Sequence, residues 1–179
     1  VALAGCVSFF VGTAFQATMP EFAHDLGTEK ADFSYSVLLT ANAPGAFIGG
    51  VILESRALLQ ASPRTTIVLT ILWCLSIAGF AVTDNYPLAV ALIFVAGFLN
   101  LAFNSMAETL VQVHAPAPVR GRMIGLYNMS NNGLRAFSGV TVGILGSVIG
   151  IHSSLALCAL VLLVIAVVLL AFSMRAANA

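Results

Sequence analysis

From Thr65 to Val82 the chain runs 18 residues without a charged side chain. Five further stretches share that apolar character: Val1–Met19, Ser34–Leu53, Leu88–Val113, Met123–Ile149 and Ser153–Met174. A helix needs about 20 residues to cross the hydrocarbon of a bilayer, and each run approaches or exceeds that length. Inside lipid a backbone N–H or C=O finds no water, so a spanning segment must close its hydrogen bonds within a helix or a barrel. The alternation that marks barrel strands is missing. The sequence therefore predicts an all-α integral membrane protein, one domain of six transmembrane helices over residues 1–179. Only 8% of the residues are charged and 60% are hydrophobic, far from the surface a soluble domain of this length requires. A formal net charge of zero offers nothing to a nucleic acid. The partner this composition calls for is the lipid bilayer.

Pro20, Pro63, Pro87, Pro116 and Pro118 mark the expected connections, and Pro44, beside Gly45, is expected to kink the second helix. Charge orients the bundle. If the first helix runs outward, Arg56, Arg64, Arg120, Arg122 and Arg175 share the cytoplasmic side and Lys30 alone falls outside. The opposite orientation puts five arginines on the wrong face, so both termini are expected in the cytoplasm. Tyr35, Tyr86 and Tyr127 come out near the interfaces, where a ring with a polar tip is favoured. Because the chain opens on Val1, already inside an apolar run with no basic segment before it, a signal peptide is not expected; the sequence reads as part of a longer protein. Cys6, Cys74 and Cys158 lack metal-like spacing and read as small residues packed among helices. No cofactor or metal is expected.

Comparing the first three runs with the last three, "AFIGG" (Ala46–Gly50) and "AFSGV" (Ala136–Val140) occupy corresponding places and run oppositely across the membrane. That match hints at a 3+3 inverted repeat.

Two connecting loops carry a resemblance. "APAPVRGRMIGLYNM", after the fourth run, resembles the Pro-x-x-x-Arg-Gly-Arg segment found in major facilitator superfamily transporters. "GGVILESR" (Gly49–Arg56) stands where that superfamily carries a Gly-x-x-x-Asp-Arg-x-Gly-Arg-type loop, with Glu54 in the aspartate's place, Arg56 one place late and the following Gly-Arg absent. Six helices with these loops look like the C-terminal half of a twelve-helix transporter. "NSMAETLVQVHAPAPVRGR" is similar to the bacterial exporter branch that includes siderophore and drug efflux proteins. The resemblance implies transport of a small-molecule substrate, as efflux by alternating access, in a bacterial inner membrane. It also implies a missing N-terminal six-helix half as partner and protons as candidate coupling ions. For Arg120, Arg122, Glu54 and Arg56 it implies a cytoplasmic gate of charge pairs, although topology alone accounts for the two loop arginines.

The residues themselves single out the fourth and fifth runs. Gly121, Gly125, Asn128, Asn132, Arg135, Gly139, Gly143, Gly146 and Gly150 follow at steps of three or four. At helical periodicity they fall within a stripe about 80° wide. Glycine lets helix backbones approach closely, so Gly139, Gly143, Gly146 and Gly150 read either as packing within the bundle or as a sliding contact with a second half. Arg135 sits roughly 18 Å deep at 1.5 Å per residue, near the middle of a core about 30 Å thick. A charge there costs about 2.5–3.5 kcal/mol on an insertion scale unless a partner or watery cavity receives it. Arg135 is therefore a candidate for substrate binding or coupling, with a hydrogen-bonded structural arginine as the other reading. Asn100, Asn104 and Glu108 form one polar ridge on the fourth run. Glu108 is a candidate proton carrier, or else the partner of Arg120 or Arg122. Thr13 and Gln16 are candidate cavity-lining groups on the first run, with a glutamine bonded to a neighbouring helix as the other reading. Asn42, Gly45 and Gly49 suit either a face between two halves or packing within the bundle. The third and sixth runs look lipid-facing, with Trp73 a lipid or packing residue. No nucleophile–base pair is visible, so no enzymatic activity is expected. The different-class alternative is a non-transporting membrane protein that associates through its glycine-rich face.

Overall fold

A computed structural model describes the backbone of residues 1–12, 14–25, 31–56 and 62–176. The side chains of residues 23–33 and 53–61 lie outside the described residues, among them Glu54, Arg56, His24, Lys30 and Asp32; so does Thr13. All regular structure among the described residues is helical: α1 (Ala2–Phe10), α2 (Ala14–Asp25), α3 (Ala31–Arg56), α4 (Pro63–Val82), α5 (Tyr86–His114), α6 (Arg120–Asn128), α7 (Leu134–Ile149) and α8 (Ile151–Ala176). A 3-10 turn over Ala117–Val119 precedes α6, and a π-helical turn over Met129–Gly133 joins α6 to α7. Five helical stretches are long and apolar enough to cross a membrane: Ser34–Ile52, Pro63–Val82, Tyr86–His114, Ala117–Ile149 and Ile151–Arg175.

The first apolar run is not the single helix its composition suggests. It breaks after Phe10, where Gly12 takes φ +34°, a backbone conformation glycine adopts without the penalty a Cβ would bring. A Cβ at Gly12 would also strike the Ser8 carbonyl oxygen and lie 2.7 Å from Ser138 Oγ on α7. The second piece then continues through Pro20 to Asp25, so Pro20 lies inside a helix rather than in a connection. α3 likewise runs through Pro44 as one helix. α4 starts where the chain supplies a cap: the Ser62 hydroxyl accepts the Thr65 N–H at 3.1 Å, and Pro63 fills the first helical position, which needs no donor.

The helices close into a ring: α3 packs on α5, α5 on α4, α4 on α8, α8 on α7, α7 on α1, and α2 back on α3. The α3–α5 contact is the tightest. A Cβ on Gly45 would collide with the Phe94 carbonyl, and one on Gly97 with the Asn42 carbonyl, while Gly49 sits against Phe98. Gly45 and Gly49 are thus buried within the bundle rather than offered to a second half. In the third run 56% of the central stretch of α4 is buried, which corrects the lipid-facing reading. Trp73 is 1% exposed, a packing residue whose indole N–H has no partner among the described residues. α8 keeps the lipid-facing reading over most of its length, with 28% of its central stretch buried.

The two ends of the bundle differ in charge. A cavity of about 490 Å³ is lined by Val1, Pro63, His114 and Val119 among others, so the helix ends next to Arg64, Arg120 and Arg122 meet at one end. The opposite end is tied by Tyr86 donating to the Ser34 carbonyl at 3.1 Å. There Phe22 stacks on Phe80, with centroids 4.5 Å apart, and lies against His152. Exposed Glu21 and Asp84 stand near that end.

Candidate functional site

The fourth and fifth runs meet α1 in a chain of neutral polar side chains. Ser8 on α1 donates to Asn131 Oδ1 at 2.6 Å. Asn131 Nδ2 donates to Asn104 Oδ1 at 2.8 Å, and Asn104 Nδ2 donates to the Asn100 carbonyl at 2.8 Å and to Asn100 Oδ1 at 3.2 Å. Tyr127, expected near an interface, is 2% exposed within the bundle, with its hydroxyl donating to the Asn104 carbonyl at 3.4 Å. An aromatic ring with a polar tip is as well placed beside a buried acceptor as at the membrane edge.

The π turn decides which asparagine enters this chain. An i→i+5 turn adds a residue to the helix and shifts the register on either side of it. Asn131, inside the turn, faces Asn104 and Ser8, while its neighbours Asn128 and Asn132 are exposed. The uniform stripe expected from a constant helical step therefore does not run unbroken. Ser8 and Asn131 belong to the network and escape a reading based on that step. The signal was the stretch "MSNNG" itself, several poor helix formers inside an apolar run.

Arg135 lies one residue past the start of α7, midway between Arg120 and Gly150. Its Nε is buried and has no hydrogen-bond partner among the described residues, although the residue as a whole is only part-buried. Tyr127 stands within electrostatic reach of both Arg135 and Glu108. Glu108 is half-buried on α5 and accepts a hydrogen bond from Gln112 Nε2 at 3.2 Å. Neither Arg120 nor Arg122 pairs with it among the described residues; both arginines are exposed on the first turn of α6. Gln16 is half-buried on α2 and is not among the side chains the network ties together.

The glycines of the fifth run do not pack the bundle as expected. A Cβ on Gly121, Gly125, Gly139 or Gly143 would meet nothing within 4 Å. Gly146 faces Ile151 across the turn into α8, and Gly150, at φ +85°, makes that turn. Asn128 and Asn132 before Arg135, and Gly139 and Gly143 after it, are thus all exposed along the segment.

The described residues form a multi-pass helical bundle with a chain of bonded amide groups and a part-buried arginine. The chain belongs to the Major Facilitator Superfamily, whose family model matches residues 1–178. Members of that family are transporters rather than enzymes, so membrane transport is the general function of this chain. No curated protein and no solved structure matches it.

Proposed function

We propose that this chain is the C-terminal half of a twelve-helix secondary transporter that exports a small molecule by alternating access. Its residues form a 3+3 inverted repeat in a bacterial inner membrane, with both termini cytoplasmic. The observation that carries this reading is the open face of the fifth run. Exposed Asn128 and Asn132 precede a part-buried arginine midway along the segment, and polar groups at such depth belong against water or protein rather than hydrocarbon. An N-terminal six-helix half covers this face and shares with it a watery substrate pathway. Open Gly139 and Gly143 let the two halves slide past each other at close range. Phe47 and Phe137, the matched aromatics of the repeat, are both exposed, as an outward-facing pair requires. Arg120 and Arg122 guard the cytoplasmic end, with Glu54 and Arg56 as their proposed partners.

Gly143→Leu tests the sliding contact. Its side chain has free space within the described bundle, so membrane insertion and thermal stability should match wild type while transport falls at least tenfold on our reading. Transport at the wild-type rate would sink it. The same open face would admit a second copy of the chain instead, and cross-linking of a tagged and an untagged copy distinguishes that case.

Glu108 is the proposed proton carrier. Its hydrogen-bond donor is a neutral amide, and no ion pair holds it among the described residues. Glu108→Gln should abolish proton-gradient-driven accumulation and spare passive exchange of substrate across the membrane. If gradient-driven transport survives the change, Glu108 is not the coupling group.

A further inference from the structure

We propose that Arg135 receives the acidic group of a small organic anion, so that the substrate carried along this face bears a carboxylate or comparable oxyanion. The inference rests on the transport reading above and names the chemistry of its substrate. A guanidinium keeps its charge at every physiological pH and presents its N–H donors as a planar fork matched to a carboxylate. Here that fork is incompletely used: Nε is buried without a hydrogen-bond partner, and no ion pair holds the side chain among the described residues.

The polar network beside Tyr127 does not supply the missing charge. Ser8, Asn131, Asn104 and Asn100 are neutral and spend their hydrogen bonds on one another. Glu108, the acid that shares Tyr127 with Arg135, is bonded to Gln112 one turn further along α5. What the neighbourhood offers instead is room. Gly139, one turn from Arg135, and Gly143 beyond it leave open space where side chains would stand, and Asn128 and Asn132 are exposed on the other side. An oxyanion entering this space gains charge-assisted, bidentate hydrogen bonds. A cation entering it meets an unneutralised like charge and is repelled. Exposed asparagine amides on the approach donate to carboxylate or hydroxyl oxygens of the remainder of the molecule.

The test uses two xanthene dyes of similar size and opposite charge, carboxyfluorescein and rhodamine 123, with the full-length protein reconstituted in liposomes. Wild type should move the anionic dye in preference to the cationic one. Arg135→Met should lower anion transport on the order of tenfold or more, the effect of losing one charge-assisted hydrogen-bonded contact. Arg135→Lys should keep part of it, as a point charge without the fork. Asn132→Asp, at an exposed position one turn away, should lower anion transport and raise that of the cation without touching the bundle interior. Protein yield and size-exclusion elution of each variant separate these effects from misfolding. Undiminished anion transport by Arg135→Met, or wild-type preference for rhodamine, overturns the anion assignment and leaves the transport reading standing. Failure of wild type to move either dye overturns both.

Discussion

Gly97→Leu is expected to prevent α3 from seating on α5, with little or no monodisperse protein recovered in detergent. A Cβ alone at this position would run into the Asn42 carbonyl, lying 3.1 Å from the carbonyl carbon, and backbone cannot swing aside as a side-chain tip can. Overpacking costs about 1–3 kcal/mol where side chains can yield; here the helices themselves must part, so the loss should reach or exceed the top of that range. Gly125→Leu is the matched control, since nothing lies within 4 Å of its added Cβ, and its thermal unfolding should be unchanged. Equal stability of the two variants would show that the α3–α5 contact is not the close one described.

The second large effect is expected at Asn131. Asn131→Leu strands the Ser8 hydroxyl and the Asn104 side-chain oxygen, each of which loses its partner across a helix interface. Leaving a buried polar group unpaired costs about 1–3 kcal/mol, although pairs within membranes average about 0.6 kcal/mol because the reference state also finds partners. The larger figure should apply, because both neighbours are left without a substitute on the adjoining helix. Thermal unfolding of Asn131→Leu, Asn104→Leu and the double variant forms a cycle. The double variant should be less destabilised than the sum of the singles. Additive losses would mean that the 2.8 Å contact carries no coupling.

The helical membrane class followed from a single physical demand, the closing of backbone hydrogen bonds in lipid, which five long apolar helices meet. Arg135, Asn104 and Glu108 could be picked out because a polar group in an apolar run needs a reason. What composition could not reveal was any departure from a constant helical step. The Gly12 break and the π turn at Met129–Gly133 both change which side chains face inward. They moved Asn131 and Ser8 into the network and left Asn128 and Asn132 outside. Glycine posed the complementary problem. Its abundance on the fifth run read as packing or as a contact with a second half, and the close backbone contacts within the bundle involve Gly45, Gly49 and Gly97 instead. A glycine records that space was needed, and only the neighbouring helix tells whether backbone or a vacancy occupies it. Tyr127 and α4 illustrate the same limit for burial, since apolar character is common to residues facing lipid and residues facing one another.

The break in the first run has a mechanical meaning. Where the helix opens, the Gly12 N–H reaches back to Val7 and the Ala14 N–H to Val11, so the donors that a regular helix would give the Ser8 and Phe10 carbonyls are redirected. Thr141 on α7 donates its hydroxyl to the Phe9 carbonyl at 3.3 Å, and Ser138 fills the notch at Gly12. α7 thus serves as a splint for α1. Pulling the two apart inside lipid would break that contact and empty the notch at Gly12, so in the proposed rocking of the bundle these segments travel as one strut, and flexing must be found elsewhere along the chain.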